Sequence, residues 1–136
     1  MLTLGIPVIG VTDMARATGF WTAALGLVAS EEWRNEDWRT LCHPDGPDAP
    51  DSSDRPGRRA LGLMRSESPP EPRPRVHLDL FVESPGEQEA EVARLLTLGA
   101  TRPEWELYPE NPDFVVLADP DGNLFCVVDL SSAPSS

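Results

Sequence analysis

Apolar residues recur near the start of the chain with two different spacings. Residues 4–11 are rich in β-branched side chains and predict a strand. From Met14 to Leu25, apolar residues recur every three or four positions, which predicts a helix. Asp13 precedes this helix as a typical N-cap, and Gly26 follows it as a typical C-terminal glycine. The chain is therefore predicted to begin with a strand that leads into a capped helix.

Strand-like stretches follow this helix, and the second half of the chain repeats the same order of elements. In the first half they are residues 27–33, 37–43 and 59–65. The second half opens with an alternating stretch at 75–82, and residues 84–87 form a capping box with Pro85 at the first helical position. Three further strands are predicted at 101–107, 113–119 and 124–130. Each half is thus predicted to be β-α-β-β-β.

Short sequences recur at matching places in the two halves. LG stands at 25–26 and again at 98–99, and PDG stands at 44–46 and again at 120–122. The spacing between matching segments increases along the chain, which is typical of an old duplication rather than a regular solenoid. The second PDG lies within DPDGN, where proline, aspartate and glycine favour a tight turn over a calcium loop.

The length and the duplication predict one domain, residues 1–131, built from two modules. A chain of 136 residues buries about two thirds of its unfolded surface without needing disulfides or metals. Module one is predicted at 1–65, a proline-rich linker at 66–74, module two at 75–131 and a disordered tail at 132–136. Residues 47–57 have no counterpart in the second half and predict an exposed, mobile loop.

The charge of the chain excludes some classes of function. The formal net charge is −12, and all 11 basic residues are arginine. Without lysine, no mechanism can proceed through a lysine Schiff base. An acidic chain with no basic stripe repels phosphate backbones, so we expect no nucleic-acid partner. Neutral or cationic small molecules remain suitable ligands.

No segment predicts a membrane span or a leader peptide. The apolar runs are far shorter than the ~18 to 20 residues that a spanning helix needs. The N-terminus has no basic segment before an apolar one. We therefore expect a cytoplasmic protein without membrane contact, in which Cys42 and Cys126 are free thiols.

The order of elements and three short motifs resemble the vicinal oxygen chelate superfamily, and within it the glyoxalase and bleomycin-resistance group. The motifs are VTDMARATGFWTAALGL near the start, RVHLDLFV at 75–82 and DPDGN at 119–123. The resemblance covers roughly residues 4–130 and implies an α+β fold. In that fold two βαβββ modules form curved mixed sheets around a cavity. Many relatives hold a divalent metal in this cavity, others sequester a drug or metabolite without metal, and many are homodimers.

Ligating residues occupy only some of the positions at which this family carries its metal ligands. The first-strand position is His77 in module two but Ile6 in module one. The last-strand position, a glutamate in metal-using relatives, is Cys126 in module two. Its counterpart in module one is Leu61 or Leu63. The resemblance therefore implies a degraded metal site.

A metal would need a third protein ligand in addition to His77 and Cys126. Zinc accepts nitrogen and sulfur ligands, but its sites generally use three or four protein groups. Asp79 faces the same side of the predicted strand as His77, yet two such residues lie ~6.5 to 7 Å apart along a strand. We therefore expect Asp79 to stand apart from a shared coordination sphere. The sequence favours a pocket without metal or other cofactor, and a divalent metal on His77 and Cys126 is the alternative.

Three kinds of side chain are candidates for chemistry or binding in the implied cavity. His77 can act as a general base beside Asp79, or simply anchor a ligand. Cys126 is either a nucleophile whose pKa is lowered by His77 or a small buried apolar residue. Aromatic rings on predicted strands and loops can stack on a planar ligand or pack in the core; they are Trp33, Trp38 and Trp105.

These observations lead to two hypotheses about function. The first is a protein that binds or sequesters a small-molecule metabolite or drug without metal. The second is a metal-dependent lyase, isomerase or dioxygenase that uses His77. Whether the protein is an enzyme stays open at this point, because the same fold serves both roles.

Overall fold

A computed structural model describes residues 1–44 and 58–132 of the chain. The chain divides into two units, Met1–Pro69 and Pro70–Ser136, and each is described by itself below. The predicted mobile loop at 47–57 lies outside the described residues. Of the predicted tail, only Ser132 is described.

The first unit is a four-stranded sheet with one helix. Its elements are β1 (Val8–Val11), α1 (Met14–Leu25), β2 (Val28–Ala29), β3 (Trp38–Cys42) and β4 (Arg59–Arg65). The strand order is β1-β4-β3-β2, with β1 parallel to β4 and the other pairs antiparallel. The predicted β-α-β-β-β order is therefore confirmed in this unit.

The second strand of the first unit is much shorter than the predicted stretch 27–33. It ends at Ala29, although the Ser30 backbone N–H still donates to the Thr40 carbonyl at 2.8 Å, and a local turn follows from Ser30. The Ser30 hydroxyl accepts a hydrogen bond from the Glu32 backbone N–H at 3.1 Å. Such local side-chain bonds compete with strand pairing for backbone groups.

Helix α1 begins and ends at the predicted capping residues. The Asp13 carboxylate accepts from the Arg16 backbone N–H at 3.0 Å, and Gly26 takes a left-handed φ of 65°. The buried residues of the helix recur at helical spacing, and α1 contacts strands β3 and β4. They are Ala17, Phe20, Trp21 and Ala24.

The second unit is a three-stranded sheet with one helix. Its elements are β5 (Leu78–Val82), α2 (Pro85–Leu98), β6 (Phe114–Ala118) and β7 (Leu124–Asp129). The strand order is β5-β7-β6, with β5 parallel to β7 and β6 antiparallel to β7. Ser84 caps α2 as predicted by accepting from the Glu87 N–H at 3.1 Å, but the Glu87 carboxylate bonds the N–H of Glu83 rather than that of Ser84.

The prediction of a strand at 101–107 is wrong. Only Thr101 pairs, in an isolated bridge with Ala118 at the edge of β6. Pro103 has no backbone N–H to donate to a ladder, and Trp105 lies in a loop. Further along the β6 edge, the N–H of Val116 donates to the Tyr108 hydroxyl at 2.7 Å rather than to a strand.

The motif DPDGN forms the tight turn that joins β6 to β7. The buried Asp119 carboxylate accepts from the backbone N–H groups of Asp121, at 3.0 Å, and Asn123, at 2.8 Å. Gly122 has a φ of 91°, which a residue with a side chain rarely adopts. This turn sets the antiparallel register in which Val116 pairs with Cys126.

The described chain is thus α+β, with two small mixed sheets and few helices, which confirms the predicted fold class. Across residues 1–44 and 58–132, neither helix is long and apolar enough to cross a membrane.

Candidate functional site

Three potential metal ligands lie close together in the second unit. The parallel pairing of β5 with β7 places Asp79 opposite Cys126, and His77 directly precedes β5. One ligand atom from each of these three side chains lies within 4.8 Å of the others. The His77 Nε2 atom is 3.1 Å from the Asp79 Oδ1 atom. A nitrogen, an oxygen and a sulfur donor therefore converge at one place.

The expectation that Asp79 would stand apart from His77 is wrong. It assumed that both residues lie on one regular strand, whereas β5 starts only at Leu78. His77 lies just before the strand, and its imidazole approaches the Asp79 carboxylate. Both side chains are nearly half exposed, so this contact alone contributes little to stability.

The cluster lies in a pocket of about 430 Å³ whose lining comes entirely from the second unit. Its polar lining consists of His77, Asp79, Asp113 and Cys126. The remaining lining is apolar and comes from the segment before β5, the loop 102–113 and the two strands β6 and β7; the residues are Pro74, Trp105, Leu107, Phe114, Val116, Leu124, Phe125 and Val128. An apolar pocket with a few convergent polar groups is typical of a small-molecule site.

The loop that carries Trp105 and Leu107 is anchored to the sheet by Tyr108. Besides accepting the N–H of Val116, Tyr108 packs its ring against Phe114, with 5.3 Å between the ring centroids. The anchor keeps one wall of the pocket in place. Trp105 therefore lines the pocket from a loop and not from the strand on which it was predicted.

Replacing Tyr108 with phenylalanine tests this anchor. We expect Tyr108→Phe to lower the free energy of unfolding by about 1 kcal/mol, because the part-buried Val116 N–H loses its acceptor while the ring contact is kept. Thermal unfolding followed by circular dichroism measures the change. Thr97→Ala, which removes an exposed hydroxyl from α2, is the control. An unchanged stability of Tyr108→Phe would show that the bond does not hold the loop.

The pocket disfavours the thiolate form of Cys126. Burial, followed by the negative charges of Asp79 and Asp113, raises the pKa of the Cys126 thiol to about 11. A thiol nucleophile needs the opposite, an environment that lowers its pKa. Cys126 and Cys42 are both buried, and neither belongs to a disulfide. The structure thus favours a neutral thiol at physiological pH, unless a metal displaces its proton.

The raised thiol pKa predicts a loss of stability in alkali. In the unfolded chain the Cys126 thiol has its usual pKa of 9.0, whereas in the folded protein its pKa is about 11. Between pH 9 and 11 the unfolded state therefore binds fewer protons than the folded state. Stability should therefore fall as the pH rises from 9 to 11. Urea unfolding across this range should show a smaller decline for Cys126→Ser, which has no thiol to ionise. An equally steep decline in both proteins would contradict the prediction.

Not all predicted site residues line this pocket. His77, Asp79, Trp105 and Cys126 do, but Trp33 and Trp38 belong to the first unit and line a pocket there. Sequence reasoning missed Asp113, Leu107 and Phe114 as part of the second-unit pocket. In the sequence, Asp113 is a polar residue at the start of a predicted strand, and such a position does not by itself indicate a pocket.

The fold and the match to a family model place the chain in the vicinal oxygen chelate superfamily. Residues 7–128 match the family model of the glyoxalase-like domain, so the chain belongs to that family. No curated protein matches the chain.

Solved structures with the same fold have little sequence in common with this chain. A glyoxalase/bleomycin resistance protein/dioxygenase family enzyme from Burkholderia phytofirmans PsJN has a TM-score of 0.66 and 18% identity, over 95% of this chain and 99% of that one. A glyoxalase-related enzyme from Fulvimarina pelagi has a TM-score of 0.67 and 15% identity, over 100% and 94%. The fosfomycin resistance protein FosX from Listeria monocytogenes has a TM-score of 0.63 and 16% identity, over 98% and 95%. At these identities the likeness extends to the fold alone.

Proposed function

We propose that the protein binds or sequesters a small organic molecule in the pocket of the second unit. The observation that carries this proposal is that one pocket has a mostly apolar lining and also contains the polar groups of His77, Asp79 and Cys126. Its volume, about 430 Å³, falls within the roughly 300 to 1,000 Å³ of typical ligand sites. The proteins with the same fold include a fosfomycin resistance protein, which supports a drug or metabolite as the class of ligand.

The charge of the pocket narrows the class of ligand. Asp79 and Asp113 both line it, and no basic side chain other than His77 does so among the described residues. The Trp105 indole supplies a flat face for an aromatic ring or a cation. A neutral or cationic ring therefore suits the pocket better than an anionic compound such as fosfomycin.

Native mass spectrometry of the protein from its own host tests this proposal, since it reports bound ligand and metal together. We expect a co-purified organic molecule that Trp105→Ala loses. Phe81→Ala is the matched control, because Phe81 is an exposed aromatic residue of the same unit that does not line the pocket. Ligand-free native protein, together with no binding from a panel of aromatic cations, would refute the proposal.

A metal-dependent enzyme is the second candidate function, and the closeness of the three donor atoms supports it. His77, Asp79 and Cys126 would hold the ion, and their N, O and S donors suit zinc or another borderline metal. A bound ion would supply Lewis-acid polarisation of substrate oxygens. His77 and Asp79 are also the candidates for moving a proton. The metal positions that are apolar in the first half, such as Ile6, are the reason why this candidate ranks second.

The expected cytoplasmic location and homodimeric state stay predictions from the sequence and the family. Cys42 and Cys126 are both thiols outside any disulfide, which is compatible with a reducing compartment. Light scattering at several protein concentrations would measure the oligomeric state, and a monomer at all of them would contradict the expectation of a dimer.

A further inference from the structure

Trp33 has a backbone conformation that a bulky residue rarely takes. Its φ is 59°, in the left-handed region that glycine and asparagine tolerate best. Its side chain is 76% exposed, so packing recovers little of the cost of this strain. Glycine or asparagine at this position would serve the fold better. A strained, exposed tryptophan therefore points to a role outside folding.

Hydrogen bonds on both sides of Trp33 hold it in this conformation. Before it, the Ser30 hydroxyl accepts from the Glu32 N–H at 3.1 Å. After it, the Asn35 side-chain oxygen accepts from the Asp37 N–H at 2.8 Å, and the Asn35 N–H donates to the Trp38 carbonyl at 3.3 Å. Strained conformations persist where the surroundings determine them in this way. The position of the Trp33 ring is thus set by the turn that leads into β3.

Trp38 provides a second, rigid aromatic surface in the same pocket. Its indole N–H donates to the Thr40 hydroxyl at 2.9 Å. The ring also packs closely over Gly62, since a Cβ atom built there would stand 2.7 Å from the ring. Both contacts lock the ring in one orientation. A ligand stacking on it would lose little ring mobility on binding.

We propose that Trp33 and Trp38 form a binding site in the first unit for a planar aromatic carboxylate of one or two fused rings. The pocket that they line has a volume of about 270 Å³, which suits a ligand of that size, and Ile6 adds an apolar surface. Arg59 lines the same pocket, and its guanidinium can donate to a carboxylate. All these residues belong to the first unit, and none of them lines the pocket of the second unit.

The probe 2-naphthoate tests the site, with binding followed by the indole N–H signals in NMR spectra. We expect the signals of Trp33 and Trp38 to shift, and that of the buried Trp21 to stay in place. Trp33→Gly and Trp33→Asn should weaken binding at least tenfold, as expected for the loss of one stacking partner. Both variants should also raise the unfolding midpoint by roughly 4 °C, because the strain is relieved. A residue that served only the fold would not combine higher stability with weaker binding.

Two controls complete the test. Phe81→Ala, which removes an exposed aromatic ring of the second unit that lines neither pocket, should leave the affinity at Trp33 and Trp38 unchanged. Cyclohexanecarboxylate, which has the charge but no aromatic face, should bind at least tenfold more weakly. The proposal is overturned if 2-naphthoate leaves the Trp33 and Trp38 signals in place, if Trp33→Asn binds as the native chain does, or if both Trp33 variants lower the midpoint. It is also overturned if Trp33 instead joins two copies of the chain, seen in sedimentation as a dimer that Trp33→Asn dissociates, without probe binding.

Discussion

N-Methylquinolinium, a cationic bicyclic ring, is expected to bind the second-unit pocket at least about tenfold more tightly than 2-naphthoate, an anionic ring system of similar size. The physical reason is the pair of carboxylates, Asp79 and Asp113, in a lining that is otherwise mostly apolar. Both charges attract a cation and repel an anion, and the apolar wall strengthens this effect by reducing solvent screening. The indole N–H signal of Trp105 reports binding at this pocket separately from any other site.

Neutralising the two carboxylates should remove this preference. We expect the double variant Asp79→Asn, Asp113→Asn to bind the two probes with affinities that differ by less than about twofold, since the shape of the pocket is kept. Glu104→Gln is the matched control, because Glu104 is an exposed acidic residue close to Trp105 in sequence that does not line the pocket. If the double variant still preferred the cation tenfold, the lining carboxylates would not select the ligand.

Cobalt(II) is expected to bind His77, Asp79 and Cys126 more tightly by about tenfold for each unit of pH between 6 and 8, if the second candidate function holds. With a thiol pKa of about 11, Cys126 enters this range protonated and must release its proton to coordinate an ion. The bound form should show the absorption band of a cobalt–thiolate bond. Titrations at several pH values measure both the band and the affinity.

Two variants and one control identify the ligands in this titration. Cys126→Ser should abolish the thiolate band, and His77→Ala should weaken binding by at least about 100-fold, because loss of a direct ligand costs no less than loss of its supporting contacts. Cys42→Ser changes the other buried cysteine, which belongs to the first unit, and should leave the thiolate band and the cobalt affinity unchanged. If cobalt(II) gave no thiolate band and its affinity did not depend on pH, the hypothesis of a metal-dependent enzyme would be refuted. The pocket would then stand as a metal-free binding site.

The local features of the fold could be predicted from the sequence because local interactions encode them. Asp13 and Ser84 cap their helices through bonds to residues three positions along, and DPDGN forms its turn through bonds within five residues. The duplicated order of elements and the motifs also led correctly to the family. For such features the chain needs no distant partner.

The errors concern residues whose state depends on distant partners. The stretch 101–107 has an alternating pattern typical of a strand, but Pro103 cannot donate to a ladder. The Val116 N–H that faces the loop donates instead to the Tyr108 hydroxyl. His77 was expected on a strand that begins three residues too early, and this led to the wrong expectation for Asp79. Neither a side-chain acceptor nor a strand end leaves a clear signal in periodicity.

By itself, the sequence determined the α+β class, the two capped helices, the family, and the chemical identity of the site residues, because these follow from composition, period and motif. Only the tertiary structure decided which of those residues meet. The pairing of β5 with β7 brings His77, Asp79 and Cys126 together, and Trp33 and Trp38 share a pocket in the other unit. It also decided the raised pKa of Cys126, since burial and neighbouring charge depend on side chains that are distant in sequence.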